Sequence, residues 1–260
     1  MIGFKYISCL NSDRVGIITL NRPEKRNALS FDLISELKIA FEKYETDEQV
    51  NVIILKANGT AFCAGADITD LQKLQNYSYE ENLIDSNHLK ELFLRIYTLK
   101  KVVIAQVQGH ALAGGCGLVT VCDFVFAVPE AKFGYPEVKI GFIPAMVMIF
   151  LLRKIGEAKA KQLLLSGDNF SAEHAVSMGL VYEVISKQNL DTHVMEFAKK
   201  LIHTNSSHAM MLTKQMITKL HSMSLQESLS FAADMNARAR ESGDFKKGIS
   251  AFLKKEKLDW

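Results

Sequence analysis

An apolar strand that runs straight into a glycine-rich turn is the feature that most constrains this chain. The strand is predicted over Val102–Val107, the turn follows at residues 109–115 (GHALAGG), and a helix is predicted over residues 116–121. Glycine tolerates tight turns and lets the backbone approach a ligand closely. The first N–H groups of a helix have no partner within it, and they lie at the positive end of its dipole. The turn is therefore predicted to bind negative charge, either on an anion or on an oxyanion that forms in a transition state.

One carboxylate beyond this turn is the candidate for proton transfer. Glu137 follows a strand predicted over Phe124–Ala127 and lies twenty residues after Gly117. The residues at 135, 138, 140 and 142 are apolar, and an apolar environment raises the pKa of a carboxylic acid toward neutrality. A single glutamate is more often a solvated surface residue. Oxyanion donors followed by one placed carboxylate nevertheless indicate proton transfer next to a carbonyl group.

Alternating apolar strands and amphipathic helices predict an α/β fold with a mainly parallel sheet. Strands are predicted over Val15–Leu20 and residues 52–55, and Ser30 is a suitable N-cap for the helix between them. The polar residues 75–82 interrupt helical material and predict a mobile loop. Beyond Pro144 the pattern becomes helical, over residues 153–165, 171–178, 190–202, 206–221 and 225–240.

Length and charge restrict the class of protein. The 260 residues suit one large domain, or one domain with a small appendage, and 48% of them are hydrophobic. Thirty-one basic against 29 acidic residues give a net charge of +2, which favours neither a nucleic-acid partner nor a membrane surface. The apolar runs are too short for a membrane span, and no signal peptide is expected. A soluble, cytoplasmic protein is therefore predicted.

Other reactive side chains are predicted to be structural. The four cysteines stand at positions 9, 63, 116 and 122 without a CxxC pair, which favours reduced thiols over disulfides or metal ligands. Cys63 and Cys116 adjoin the two glycine-rich segments, but no base is evident beside either. His110 adjoins the turn, yet no serine in a strand-to-helix elbow accompanies it. A triad of His110 with Asp123 and Tyr135 is therefore not predicted.

Four segments in order carry a resemblance to a known family. They are residues 21–29 (NRPEKRNAL), 61–68 (AFCAGADI), 109–144 and 243–252 (GDFKKGISAF). Together they resemble the enoyl-CoA hydratase/isomerase family, also called the crotonase family. The resemblance implies the crotonase fold, an α/β spiral of ββα units with an acyl-CoA site, here expected over residues 1–200. It also implies a helical C-terminal region, residues 201–260, that assembles homotrimers or dimers of trimers.

The resemblance also assigns residues to a site. The backbone N–H groups of Ala66 and Gly114 would form an oxyanion hole for a thioester carbonyl, and Glu137 would be the acid and base at the neighbouring carbon. Coenzyme A would enter as part of the substrate, with no tightly bound cofactor and no metal. The residues expected to contact coenzyme A are Lys25, Ala64, Ala66, Asp67, Ile68, Gly114 and, from a neighbouring subunit, Phe252 and Lys255.

Two positions depart from the pattern of the best-known hydratases in that family. Gly117 stands where those hydratases carry a second glutamate, which helps to hold and activate water. Residues 143–150 (IPAMVMIF) replace a glycine-rich segment with bulky apolar side chains, which implies a pocket of different shape. The combination is closest in pattern to the branch that includes 3-methylglutaconyl-CoA hydratases. It also resembles dehydratases of hydroxymethylglutaryl thioesters.

Three functions are left open. The first is the reversible hydration of a 2-enoyl-CoA to a 3-hydroxyacyl-CoA, with a branched substrate such as 3-methylglutaconyl-CoA as one candidate. The second is a Δ3,Δ2-enoyl-CoA isomerase, in which Glu137 alone would move one proton between C2 and C4 of the substrate. The third is an acyl-CoA-binding protein without catalysis.

Overall fold

A computed structural model describes residues 3–260, which form ten strands and eleven helices. The strands are β1 (Ile7–Ser12), β2 (Val15–Leu20), β3 (Val52–Ala57), β4 (Ala61–Cys63), β5 (Val102–Val107), β6 (His110–Leu112), β7 (Phe124–Ala127), β8 (Lys132–Gly134), β9 (Phe170–Ser171) and β10 (Glu183–Val184). The helices are α1 (Phe31–Thr46), α2 (Ile68–Leu74), α3 (Tyr79–Thr98), α4 (Gly114–Val121), α5 (Ala145–Ile155), α6 (Glu157–Ser166), α7 (Ala172–Met178), α8 (Leu190–Thr204), α9 (Ser207–Leu220), α10 (Leu225–Glu241) and α11 (Gly243–Lys254). Two short 3-10 turns are Pro23–Lys25 and Pro136–Ile140.

Six strands form one sheet, in the order β1-β2-β3-β5-β7-β10. β1 and β2 are an antiparallel hairpin, and all the other neighbours in this sheet pair in parallel. β5 is buried throughout and β3 almost throughout, as expected of strands that are covered on both faces. The mainly parallel sheet that the alternating pattern predicts is confirmed.

A second, smaller sheet has the order β4-β6-β8-β9. Along the chain β3 leads into β4, β5 into β6 and β7 into β8, and helical structure follows each short strand. β4, β6 and β8 pair in parallel, so the segments that leave their C-terminal ends emerge at one edge of the sheet. Ligand sites form at such edges. The ββα repeat therefore brings both glycine-rich segments and Glu137 to the same edge.

The start of α1 agrees with its predicted capping residue, whereas the starts of α3 and α4 differ from the prediction. The Ser30 side chain accepts the N–H of Leu33 at 3.3 Å, which confirms Ser30 as the N-cap of α1. α4 begins at Gly114 rather than at residue 116. Ser78 and Glu81 form a capping box that starts α3 at Tyr79. The loop predicted over residues 75–82 is therefore too long, because α3 already occupies its second half.

Gly156 divides a helix that the pattern predicts as continuous over residues 153–165. It has a φ of +80° and separates α5 from α6, a conformation that glycine adopts without steric cost. α5 begins at Ala145, directly after Pro144 and earlier than the start predicted at residue 153. By contrast, Ser171 and Gly179 cap the two ends of α7 as predicted.

α8 belongs to the core, whereas α9 is mostly half-buried and α10 and α11 are largely exposed. The buried residues of α8 are Leu190, Val194, Ala198 and Ile202. The predicted division near residue 200 falls inside this helix, and it stays a prediction. α11 packs on α10. No helix among residues 3–260 is both long enough and apolar enough to cross a membrane.

Candidate active site

The loop after β4 and the turn after β6 touch each other. Gly65 has a φ of +95°, and a Cβ built there would lie 2.8 Å from the Cβ of Ala113 and 3.6 Å from the nitrogen of Gly114. A Cβ built on Gly115 would lie only 2.1 Å from the carbonyl oxygen of Cys63. Only glycine permits an approach this close. The glycines therefore bring the two segments together.

Two backbone N–H groups at this junction, those of Ala66 and Gly114, have no acceptor among residues 3–260. The adjacent N–H groups of Asp67 and Ala113 donate to backbone carbonyls at 3.0 and 2.8 Å. Ala113 also has φ 49° and ψ −125°, a strained conformation that non-glycine residues adopt mainly at functional sites. Unpaired N–H groups held by paired neighbours are the donors that a developing oxyanion requires.

Glu137 lies just beyond β8, in the turn Pro136–Ile140. The residue is only 9% exposed, and its Oε2 atom is buried without a hydrogen-bond partner in the described part of the chain. Burial raises the pKa of the Glu137 carboxyl above its usual value of 4.5, the direction that the sequence predicts. Burial also raises the pKa of Cys116, in the first turn of α4, to about 12, and the nearby Glu137 carboxylate adds to that shift. A buried carboxylate with a free oxygen atom thus lies close to the start of α4.

The apolar surroundings of Glu137 differ in part from the prediction. Tyr135 is fully buried, as expected, but Ile140 and Phe142 are 75% and 57% exposed. These two residues do not bury the carboxylate in a single chain, so this part of the prediction is wrong. Ile140 is the last residue of the 3-10 turn, and Gly141, with a φ of +76°, ends that turn and redirects the chain before Phe142.

Apolar side chains fill the space beside Gly117. A Cβ built on Gly117 would lie 2.7 Å from Cγ2 of Val147 and 2.8 Å from Cζ of Phe93, and both of these side chains are buried. A glutamate at this position would need both neighbours to move. Asp67 and Glu137 are the buried carboxylates among residues 3–260. Since Asp67 is engaged elsewhere, Glu137 is the buried carboxylate that remains available for proton transfer.

Asp67 is a structural carboxylate at the start of α2. Its Oδ1 accepts the N–H of Thr69 at 2.8 Å, and its Oδ2 pairs with Nη1 of Arg22 at 2.5 Å. Burial alone would raise the pKa of Asp67, but the hydrogen bonds from Thr69 and Arg22 outweigh burial and hold the pKa below its usual value. Its backbone N–H donates to Leu29 at 3.0 Å. Asp67 therefore has no free N–H for the predicted contact with coenzyme A.

Asn27 joins the first motif to the connection between β3 and β4. It is fully buried, and its Oδ1 accepts the N–H of Arg22 at 2.8 Å. Its Nδ2 donates to the carbonyls of Asn58 and Ala61 at 2.8 and 2.9 Å. Sequence reasoning missed Arg22 and Asn27 as supports of the site. The sequence indicated their importance only through their position in the first of the four family segments, residues 21–29, because most of their partners lie far along the chain.

Three further residues are predicted to contact coenzyme A. Ala64 and Ile68 lie at the two ends of the loop between β4 and α2, here called the Ala66 loop, and Lys25 lies upstream of it. Lys25 is exposed at the end of the first 3-10 turn. The N–H of Ala64 donates to Arg26 at 3.1 Å, so only its other atoms are free for a ligand. Ile68 is 73% exposed at the start of α2. This arrangement leaves the outer face of the loop open, and the contacts themselves stay predictions.

The two residues predicted to reach coenzyme A from a neighbouring subunit lie at the end of the chain. Phe252 is 77% exposed on α11, and Lys255 ends that helix with a φ of 58°. α11 packs on α10 within its own chain. Their contact with coenzyme A therefore stays a prediction.

The side chains that could suggest a hydrolytic triad are engaged separately. His110 accepts the N–H of Lys132 at 3.1 Å through Nδ1. Asp123 accepts the N–H of Val103 at 2.7 Å, and Tyr135 is hydrogen-bonded to Thr120 at 2.8 Å. The cysteines at 9, 63, 116 and 122 are free thiols. Burial raises the pKa of the Cys63 thiol to about 12, which makes it a poor nucleophile.

Comparison with known proteins identifies the family. The sequence profile of the enoyl-CoA hydratase/isomerase family matches residues 11–260. A relative from Thermus thermophilus is 40% identical over 244 residues, which cover 93% of this chain and 95% of the relative. The short-chain-enoyl-CoA hydratase of Clostridium acetobutylicum is 33% identical over 248 residues, which cover 95% of this chain and 94% of that protein.

Solved structures agree with these relatives. The crystal structure of an enoyl-CoA hydratase from Shewanella pealeana superimposes with a TM-score of 0.92 at 31% identity, covering 99% of this chain and 96% of that one. A structure from Legionella pneumophila with the crotonase fold has a TM-score of 0.89 at 36% identity and covers 98% of this chain and 99% of its own. The chain therefore belongs to the enoyl-CoA hydratase/isomerase family of enzymes and has the crotonase fold, as its motifs predict.

Proposed function

We propose that this protein catalyses the reversible hydration of a 2-enoyl-CoA thioester to a 3-hydroxyacyl-CoA. The observation that carries the proposal is the buried, unpaired Oε2 of Glu137 at the edge where the N–H groups of Ala66 and Gly114 are also unpaired. Relatives named as enoyl-CoA hydratases along nearly the whole chain support it.

The thioester carbonyl oxygen would accept hydrogen bonds from the N–H groups of Ala66 and Gly114. When a nucleophile adds to C3 of the substrate, negative charge develops on this oxygen as an enolate forms. Donors that are already in place stabilise that charge, and the loss of one such donor typically costs about 3 kcal/mol. The positive end of α4 adds to the stabilisation.

Glu137 would act in turn as base and acid on the same face of the substrate. Its carboxylate takes a proton from water while the water oxygen forms a bond to C3. The electron pair of the C2–C3 double bond moves toward the thioester and gives the enolate. The protonated Glu137 then returns the proton to C2, so one water is added and the carboxylate is restored. A pKa raised by burial suits both steps, because the group must take up and release a proton near neutrality.

The segment around Val147 bears on substrate choice. Its bulky apolar side chains stand where the family usually has glycines, and Val147 fills the space beside Gly117. A second carboxylate is thus unavailable at that position, and water has to be held by Glu137, by backbone or by the substrate. A branched substrate of the 3-methylglutaconyl-CoA type carries a distal carboxylate that could help to hold this water, with coenzyme A near Lys25 and the loop that contains Ala66.

The same lone carboxylate supports a second candidate, a Δ3,Δ2-enoyl-CoA isomerase. Isomerisation moves one proton between C2 and C4, and one carboxylate is sufficient for it. Incubation of the purified protein with crotonyl-CoA and with a 3-enoyl-CoA separates the candidates. Loss of the conjugated enoyl absorbance indicates hydration, and its appearance from the 3-enoyl-CoA indicates isomerisation. Acyl-CoA binding without either change would indicate a non-catalytic protein.

A further inference from the structure

α5 packs along α4 and contacts its middle and its C-terminal end. At the middle of α4, Val147 packs against Gly117, where a Cβ would lie 2.7 Å from its methyl group. At the other end, the Nζ of Lys154 donates to the carbonyl oxygens of Thr120 and Cys122 at 3.1 and 2.6 Å. Val147 and Lys154 are seven residues apart, about two helical turns, so they share one face of α5. That face therefore holds α4 at two points, at Gly117 in its middle and at its C-terminal end.

The setting of Lys154 is unusual for a charged side chain. Cys122 is the C-cap of α4, so the ammonium group lies at the negative end of this helix. Burial lowers the pKa of Lys154 below its usual value of 10.5. Among residues 3–260 no carboxylate is hydrogen-bonded to it; the charge of Asp123 opposes the lowering of its pKa, but Asp123 itself pairs with Lys214 at 2.6 Å. A half-buried cation whose hydrogen-bond partners are neutral carbonyls is a weak source of stability.

Lys159 offers a natural comparison within the same chain. Its Nζ donates to the carbonyl oxygens of Ser177 and Met178 at 3.3 and 3.1 Å, at the C-terminal end of α7. Lys159 thus makes the same type of contact as Lys154. Lys159 is exposed whereas Lys154 is half-buried. The functional difference is the helix, since α7 begins at Ala172, next to β9, rather than at the unpaired N–H of Gly114.

We propose that Lys154 is a positioning residue for the oxyanion hole, acting through α4 on the N–H of Gly114. The inference rests on the function proposed above. α4 has eight residues and is about 12 Å long at 1.5 Å per residue. A unit charge at roughly this distance, in the partly dry interior of a protein, changes the stability of an opposite charge by about tenfold in equilibrium or rate. The two hydrogen bonds also restrict the axis of α4, and with it the direction of the Gly114 N–H.

The test measures polarisation of a bound thioester as well as turnover. The variants are Lys154→Met, Lys154→Gln, which keeps a hydrogen-bond donor without the charge, and Lys159→Met as the matched control. Each is saturated with butyryl-CoA carrying a ¹³C label at the thioester carbonyl, and the carbonyl stretching band is recorded by difference infrared spectroscopy. The kcat and KM for crotonyl-CoA are measured on the same samples, with thermal unfolding as a check of folding.

In the wild-type protein the carbonyl band is expected to move to lower frequency on binding. Lys154→Met should reduce this shift by about half and lower kcat by about tenfold with little change in KM. Lys154→Gln should reduce both the band shift and kcat. If Lys154→Met does not fold, Lys154→Gln alone tests the role of Lys154. Lys159→Met should leave band and kcat within about twofold of the wild type.

Two results would overturn the inference. One is a folded Lys154 variant whose band shift and kcat both match the wild type, and the other is an equal loss in Lys159→Met. A wild-type protein that binds butyryl-CoA without any band shift would refute the oxyanion hole and the role of Lys154 together. If the band shifts but crotonyl-CoA is not hydrated, the proposed hydratase function fails, and the band alone still decides the role of Lys154.

Discussion

The backbone N–H of Ala113 donates to the carbonyl oxygen of Gly134 at 2.8 Å. Ala113 directly precedes the unpaired N–H of Gly114, and Gly134 ends the strand that leads to Glu137. One hydrogen bond therefore links the oxyanion donor to the acid/base group of the proposed reaction. Both of its ends are backbone atoms next to paired parallel strands, so rigid elements rather than flexible side chains set the spacing.

Replacing Glu137 by glutamine is expected to lower kcat for hydration of crotonyl-CoA by about two to four orders of magnitude. Glutamine keeps the size of the side chain but cannot exchange a proton at neutral pH. The affinity for butyryl-CoA, measured by calorimetry, should change little because its contacts lie elsewhere. Glu130→Gln is the control, since Glu130 is an exposed glutamate. Activity of Glu137→Gln within about tenfold of wild type would contradict the assignment.

The pH profile of kcat/KM is expected to rise with pH through the pKa of Glu137. Hydration and dehydration both start from the ionised carboxylate, and burial places its pKa above the usual 4.5. The acid limb of the profile should therefore lie at a higher pH than an exposed glutamate would give. Steady-state rates from about pH 4 to pH 8, corrected for enzyme stability, measure this limb. A limb at the ordinary glutamate value would count against Glu137 as the base.

Glu137→Gln is also expected to be more stable than the wild type at neutral pH. Folding raises the pKa of Glu137, so the unfolded chain loses this proton at a lower pH than the folded chain does. The wild type therefore loses stability as the pH rises from 4.5 through the raised pKa, and the variant does not. Urea denaturation at one protein concentration should show a larger difference in unfolding free energy at about pH 7.5 than at about pH 4. An equal difference at both pH values would contradict the pKa shift.

Gly117→Ala is expected to destabilise the protein although alanine favours helices. The added Cβ would lie within 2.8 Å of Val147 and Phe93, and overpacking of this kind costs about 1–3 kcal/mol. The gain in helix propensity offsets about 1 kcal/mol of that cost. Combining Gly117→Ala with Val147→Ala should relieve the clash, so the double variant should be more stable than the sum of the single effects by about 1 kcal/mol. Additive effects in urea denaturation would show that the site relaxes without strain.

The protein is expected to form trimers or dimers of trimers. Leu225, Leu229, Phe252 and Leu253 are each more than half exposed on α10 and α11, and a neighbouring subunit would cover such a surface. The chain mass is 29.1 kDa. Light scattering at micromolar concentration should therefore give about three times this mass for a trimer, or about six times for a dimer of trimers. A monomeric mass would refute the prediction.

Local sequence signals predict those parts of the site that depend on backbone geometry. Gly65 is required because its φ is positive and the Cβ of Ala113 lies against it. Ser30 is predictable as a cap because its partner, Leu33, is three residues away. Burial of Glu137 is predictable from its apolar neighbours, yet two of those neighbours, Ile140 and Phe142 on either side of Gly141, point outward. The local sequence pattern therefore predicts that a residue has apolar neighbours, but it does not predict which way the side chains of those neighbours point.

The sequence by itself determined the family, the ββα alternation and the glycines that bring two N–H donors to one edge of the sheet, because these depend on motifs and on steric requirements that are local to the chain. Only the tertiary structure decided that Val147 and Phe93 fill the space beside Gly117, and that Asp67 is held by Arg22 rather than available for catalysis. It also decided that Lys154 binds the far end of α4. Such contacts join residues that are far apart in sequence, and their energies depend on burial and distance, which the folded chain alone sets.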